Sequence, residues 1–415
     1  MADPEPQIAF QRRWPAPGYT PDHVPADLVR PFDVANDPES LRCPFSVISK
    51  LHDGPRTFWN PDNFMFGGTW VPTRAEDIRF ILGRPDLFSN RFEAGFSGLM
   101  GEDWDLVPLE LDPPEHTQYR KLLNPLVSPP VVAALTPRVI ERAVELIEAV
   151  LPDGECEFMD AFGRPFPVGI FMELMGLPSD MTDQFNEWEF NLLHDPDMAV
   201  KAQAASAIRD YLLTLAADRR ANPIDDLTSK VVTATIDGRL LDDDKVLGIL
   251  YLLFVGGLDT VASSLGFFFR HLAENPEDQA LLRAEPERIE QAVEEMLRRF
   301  SVVMVSRQCK VDVEVGGIQM KAGDWINIGD AFASLDPHEF ENPLKVDFDR
   351  KNVRHLAFSF GPHFCMGSHL ARRELVVALR EWLARVPPFR VKEGEIPIAH
   401  GSGVFGVDKL VLSWA

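Results

Sequence analysis

The sequence predicts a mainly α chain with small β-sheets, and two observations carry that expectation. Apolar residues recur at helical spacing through 137–150, 198–219, 244–272 and 286–299, and again after Cys365. Strand signals are few. Val311-Asp312-Val313-Glu314-Val315 alternates, turns at Gly316-Gly317 and resumes as Ile318-Gln319-Met320, and the glycine-punctuated tail from 394 to 414 is partly β.

In chain order, the stretch before residue 45 carries Pro4, Pro6, Pro15, Pro17, Pro21, Pro25, Pro31, Pro38 and Pro44, so it reads as an extended surface lead-in. Residues 1–20 are its outer part. One folded domain is expected over 21–415, because no linker, repeat or low-complexity run divides the chain. Met1-Ala2-Asp3-Pro4-Glu5-Pro6 has neither a basic nor an apolar signal region, so a cytoplasmic protein is expected.

Residues 246–269 form a 24-residue apolar run with one charge, Asp259. The run is long enough to span a bilayer, but a central aspartate costs about 2.5–3.5 kcal/mol on insertion scales. The surrounding chain has a globular pattern, so the expectation is a buried core helix and no membrane. Within it, Gly256-Gly257-Leu258-Asp259-Thr260 is unusual. A helical glycine costs about 1 kcal/mol against alanine, so paired glycines imply that something needs the space. The two missing side chains would open a groove against a cofactor face, with an acid and an alcohol beside it. A plain helix kink with a capped polar pair is the structural alternative. Further on, Glu295 and Arg298 stand at i, i+3, where they can pair on one helix face.

The chain has 415 residues, 45% of them hydrophobic, and a net charge of −23. That charge argues against nucleic acid as a partner. Its four cysteines, Cys43, Cys156, Cys309 and Cys365, form no CxxC pair, which fits a reducing compartment. A lone thiol is poorly suited to zinc, which wants four ligands. Cys365 lies in Phe358-Ser359-Phe360-Gly361-Pro362-His363-Phe364-Cys365-Met366-Gly367, just before a helix with apolar Ala371, Leu375, Ala378, Leu379 and Trp382. A helix N-terminus favours the thiolate and is expected to lower the thiol pKa. Gly361 and Gly367 let the backbone pass close to a flat ligand.

Phe358-x-x-Gly361-x-His363-x-Cys365-x-Gly367 resembles the heme-binding signature of the cytochromes P-450, whose hallmark is the thiolate ligand. It departs at Ser359, where glycine is usual, at Pro362, which interrupts the bulge, and at His363, where many members have arginine. The resemblance runs from about residue 21 to 414 and is closest to the soluble bacterial camphor-hydroxylating branch. It includes Phe166-Pro167-Val168-Gly169-Ile170-Phe171-Met172 and His369-Leu370-Ala371-Arg372-Arg373-Glu374.

That resemblance implies the P-450 fold, a single triangular-prism domain, holding heme b (iron protoporphyrin IX). It implies Cys365 as axial ligand and His116, Arg120, Arg307 and His363 as propionate partners. It makes Thr260 the hydroxyl beside bound dioxygen and Asp259 the source of protons, since cleaving O2 in a dry site needs a dedicated relay. Glu295 and Arg298 become structural, locked to the meander near Asp347-Phe348-Asp349-Arg350. In relatives, basic residues before the core helix gate its aspartate. Here 179–198 holds no lysine or arginine, only His194, so a different or looser gate is expected.

The implied activity is monooxygenation: one oxygen atom of O2 enters a C–H bond of a small hydrophobic substrate. The chain has no room for a fused reductase domain, so electrons would come from a 2Fe–2S ferredoxin with an NADH-dependent reductase. Arg120, Lys121, Arg372 and Arg373 are candidates for its docking patch. Thr117 stands where the camphor enzyme has another arginine, so partner specificity can differ. A monomer is expected. Trp104 stands where camphor hydroxylases place a ketone-holding tyrosine. Leu252, Val255, Gly256, Val303, Val305, Val404 and Phe405 would complete the pocket, which points to a terpenoid or an ionone-like norisoprenoid and away from camphor. A peroxide-driven peroxygenase and a non-catalytic heme sensor are the alternatives. Neither needs the Asp259–Thr260 pair.

Overall fold

The structure, a computed structural model, describes residues 18–62, 67–195, 197–401 and 403–414; most of the 1–20 lead-in lies outside them. Helices dominate. Pro129–Val150 runs further than the expected 137–150 and carries Pro137 inside it. The Pro129-Pro130 pair, lacking N–H groups that a helix start leaves unbonded anyway, makes the better first turn. Met198–Ala221 extends the expected 198–219 by two residues. The 286–299 segment divides into a 3-10 turn, Pro286–Arg288, and the helix Ile289–Arg299.

The apolar run is the core of the molecule. It forms two helices, Asp243–Leu258 and Thr260–Glu274, interrupted at Asp259. It is long and apolar enough to cross a membrane, yet most of it is buried inside the fold. The helix after the cysteine, Ser368–Arg385, packs along Pro129–Val150. Trp382 is fully buried there, with its ring 5.3 Å from those of Phe158 and Phe269 and 5.1 Å from Phe162.

Sheets are small. The largest has the strand order Thr57–Asn60, Thr69–Pro72, Trp325–Gly329, Met304–Cys309, Phe88–Ser89. The hairpin Val313–Val315 with Ile318–Met320 turns on Gly316 and Gly317, at φ +56° and +85°. Both central residues of such a turn need positive φ. Near the C-terminus, Ile398–His400 pairs with Gly406–Lys409 and carries His400 toward the interruption at Asp259.

Candidate active site

The Cys365 loop is shaped by its backbone. Cys365 N–H donates to the Phe358 carbonyl at 2.9 Å, and Phe364 N–H to that of Gly361 at 3.1 Å. Gly361 takes φ +75°, and a Cβ there would meet the Leu82 carbonyl at 2.5 Å. Its glycine is therefore needed by packing against its own protein. Ser359 also sits at positive φ, +62°, which is why a glycine is the usual residue there. The Arg372 guanidinium covers the Phe358 ring at 4.4 Å.

Cys365 is embedded in the fold but reached by solvent on one side. Burial pushes its thiol above the ordinary value, with the Gly367 N–H and Arg120 pulling the other way. This corrects the expectation that the helix start alone lowers it. Desolvation of the anion outweighs two donors, and a facing metal cation is what deprotonates such a thiol outright.

His116 and His363 are buried with ring centroids 4.1 Å apart. Both nitrogens of His116 and Nε2 of His363 have no hydrogen-bond partner among the described residues. Burial, aided by Arg120, lowers His116 to about 4; burial with Arg307, His116 and Arg120 lowers His363 to about 2. Buried unpaired ring nitrogens are rare. Neutral imidazoles and guanidinium groups are a donor set for carboxylates, so these residues fit the propionates of heme. Arg120 already donates to the Phe364 carbonyl at 2.8 Å. Arg307 is more committed than expected: it pairs with buried Glu93 at 3.2 Å and acts on buried Asp330. Neither carboxylate was legible as part of the site.

On the core helix, Gly256 and Gly257 do different things. A Cβ on Gly256 would meet nothing within 4 Å, whereas one on Gly257 would lie 2.3 Å from the Phe171 ring. Only Gly256 faces open space; Gly257 makes room for Phe171. Thr260 Oγ1 donates to the Gly256 carbonyl at 3.2 Å. Asp259 is buried, accepts from Ser263 Oγ at 3.0 Å, and has Oδ2 3.3 Å from His194 Nε2. Burial pushes its carboxyl up, but His194, His400 and Ser263 together hold it below the usual range. His194 thus supplies the partner that lysine and arginine do not.

Val303 and Val404 form an antiparallel bridge; Val303, Val305, Val404, Leu252 and Val255 are each half-buried, and Gly256 is exposed. Two expected pocket residues are engaged elsewhere. Phe405 is fully buried, with its ring 5.9 Å from that of Phe45. The Trp104 indole N–H donates to Glu102 at 2.6 Å and its ring packs 5.0 Å from Tyr251; it is not free to hold a ketone.

Glu295 and Arg298 are both fully buried and doubly bonded, at 2.8 and 2.9 Å. Arg298 reaches the carbonyls of Ser334 and Pro343, and Glu295 accepts from Asp347 N–H and Arg350 Nε, each at 3.0 Å.

A mainly helical fold with one cysteine presented before a helix, and unpaired imidazoles beside it, defines a heme-thiolate oxygenase. A profile of the Cytochrome P450 family matches residues 155–400. The chain is 42% identical over 402 residues to the probable cytochrome P450 127A1 of Sinorhizobium fredii, covering 95% of this chain and 97% of that one. It is 29% identical to linalool 8-monooxygenase of Pseudomonas putida over 366 residues, 84% of this chain and 90% of that one. The crystal structure of cytochrome P450 CYP101C1 superposes with TM-score 0.86 at 34% identity, over 96% of this chain and all of that one. The chain belongs to the cytochrome P450 family. It is a heme b monooxygenase that incorporates an atom of O2, and it stands beside the camphor-hydroxylase-like branch.

Proposed function

We propose that this monooxygenase hydroxylates a small terpenoid or norisoprenoid held by shape, with electrons from a separate 2Fe–2S ferredoxin and its NADH-dependent reductase. The observation that carries the substrate class is the apolar, half-buried character of Leu252, Val255, Val303, Val305 and Val404, the residues this reading places around the substrate. With the Trp104 N–H engaged by Glu102, no hydrogen bond from that residue selects a ketone. Similarity to a linalool 8-monooxygenase, whose named substrate is a small terpenoid, supports the same class.

Bound heme supplies dioxygen activation on a thiolate-ligated iron. Cys365 would hold the heme iron through its thiolate, and His116, Arg120, Arg307 and His363 would hold the propionates. Asp259 holds a proton source one residue before the Thr260 hydroxyl, which sits where the helix is interrupted. For the ferredoxin, exposed Lys121 and half-exposed Arg373 have no partner among the described residues. Arg372 is tied to Glu294 at 2.5 Å and is the weaker candidate. The burial of the apolar helix pair supports its reading as a core element and not a membrane span.

The test is spectroscopic and kinetic. Reduced protein with CO is expected to show the thiolate-type band, and its absence overturns Cys365 as ligand. Ionone-like ketones and terpenols are expected to shift the Soret band. Tight, complete conversion by camphor overturns the substrate reading. NADH consumption that does not depend on added ferredoxin and reductase overturns the redox partner.

A further inference from the structure

On the side of the core helix that carries Asp259, three chain segments converge. Glu189 and His194 come from the Thr182–Leu193 helix and its end, Asp259 from the helix interruption, and His400 from the Ile398–His400 strand. One ligand atom from each of Glu189, His194 and Asp259 lies within 4.8 Å of the other two. Four donors held about 2.0–2.1 Å from a tetrahedral zinc ion stand roughly 3.3 Å apart. His194 Nε2 and Asp259 Oδ2 are at 3.3 Å already, and Glu189, within 4.8 Å of both, has at most about 1.5 Å to close, within one side-chain adjustment.

Three further observations point to a cation. Glu189 is 8% exposed and its Oε1 has no hydrogen-bond partner among the described residues. Two carboxylates share this buried place, and burial together with Asp259 drives Glu189 well above the usual carboxylate range. Arg164, which acts on Glu189 through space, bonds to Asp160 and the Asp408 carbonyl. Finally, His400 holds Asp408 through Nδ1 at 2.8 Å, while its Nε2 is buried, and the Val404 backbone, which also acts on the ring, would have to yield to a metal. A carboxylate on one imidazole nitrogen fixes the tautomer and leaves the other nitrogen's lone pair available, which is the usual arrangement behind a metal-binding histidine. The His400 ring lies 4.4 Å from that of His194. A cleft lined by Asp160, Asp183, Glu187 and Asp408, with Arg142 and Arg164 among them, leads to the cluster from solvent.

We propose that Glu189, His194 and Asp259 form a zinc site, with His400 available as fourth ligand, through which zinc ions inhibit the enzyme. Binding displaces any proton on Glu189 to solvent and neutralises both carboxylates with one dication. The inhibitory part rests on the reading of Asp259 as the proton source, because a coordinated carboxylate cannot pass protons to Thr260.

Tag-free, heme-loaded enzyme is dialysed against micromolar zinc chloride and its metal counted by mass spectrometry. One zinc per chain is expected, lost in Glu189→Gln and in His194→Asn, with the CO band of each variant showing that the heme pocket is intact. No bound zinc in the wild type, or equal zinc in wild type and both variants, overturns the site. In turnover with ferredoxin, reductase and substrate, the same zinc is expected to depress wild-type product formation and to spare Glu189→Gln. Inhibition that persists in Glu189→Gln overturns the assignment. Stoichiometric zinc that leaves wild-type turnover untouched keeps the site and overturns the relay reading of Asp259.

Discussion

The hydroxyl of Thr260 donates to the carbonyl of Gly256 at 3.2 Å, bridging the interruption between the two halves of the core helix. That bond parks the hydroxyl beside the open face left by Gly256. Thr260→Ala removes the only polar side-chain atom at this position. Since positioned proton transfer is worth about 10²–10⁴-fold, product formation is expected to fall by at least roughly tenfold. NADH oxidation should continue and yield peroxide. Product per NADH that stays at the wild-type level would remove Thr260 from the relay.

The two glycines give opposite outcomes. Gly257→Ala drives a methyl into Phe171, and overpacking of this kind costs about 1–3 kcal/mol. Gly256→Ala meets nothing and gains about 1 kcal/mol of helix propensity. Its methyl narrows the pocket, so weaker Soret titration by substrate is expected at unchanged or raised stability. Denaturation curves of the two variants should move in opposite directions.

Ser359 holds φ +62° in the cysteine loop. A non-glycine residue there costs about 1–2 kcal/mol, and glycine returns roughly 0.5–1 kcal/mol of that in unfolded-state entropy. Ser359→Gly is therefore expected to stabilise the enzyme by about 0.5–1 kcal/mol, read as a higher urea midpoint with the CO band preserved.

Glu294 links two helices through His355 at 3.2 Å and Arg372 at 2.5 Å. Burial pushes its carboxyl up, but these partners bring it down to about 2. A lowered folded value means stability that is present above the unfolded carboxylate range and lost as pH falls toward 2. The shift corresponds to about 3 kcal/mol at most. Partial exposure of the pair reduces this to about 1–2 kcal/mol. Glu294→Gln should cost that amount at pH 7, and the gap to wild type should narrow below about pH 4 and close only as pH falls through about 2.

Arg298 and Glu295 are both shut off from solvent. Removing one partner strands a buried charge and costs about 3–5 kcal/mol. Arg298→Ala should therefore lose folded, heme-loaded protein. Arg373→Ala, on the surface, should retain it. Equal yields of the two would show that the buried pair is dispensable.

Much of this was legible in the chain. The long helices, the Gly316-Gly317 hairpin and the Cys365 loop all follow from local rules, because periodicity, turn glycines and a ten-residue signature are properties of consecutive residues. Even Ser359 announced itself as a departure, and its positive φ supplies the reason. The helix start at Pro129 rather than Pro137 shows the limit: two positions satisfied the same rule, and packing chose.

What the sequence determined by itself was the family, the helical architecture and the reaction class, since each rests on motifs contiguous along the chain. What only the tertiary structure decided was who partners whom. Glu102 takes the Trp104 N–H, Phe171 takes the space of Gly257, Glu93 takes Arg307, and His194 meets Asp259. His400 joins that last pair across 206 positions of sequence from His194. Hydrogen bonds and ion pairs act over about 3 Å, and no local pattern encodes which distant residues the fold will bring that close.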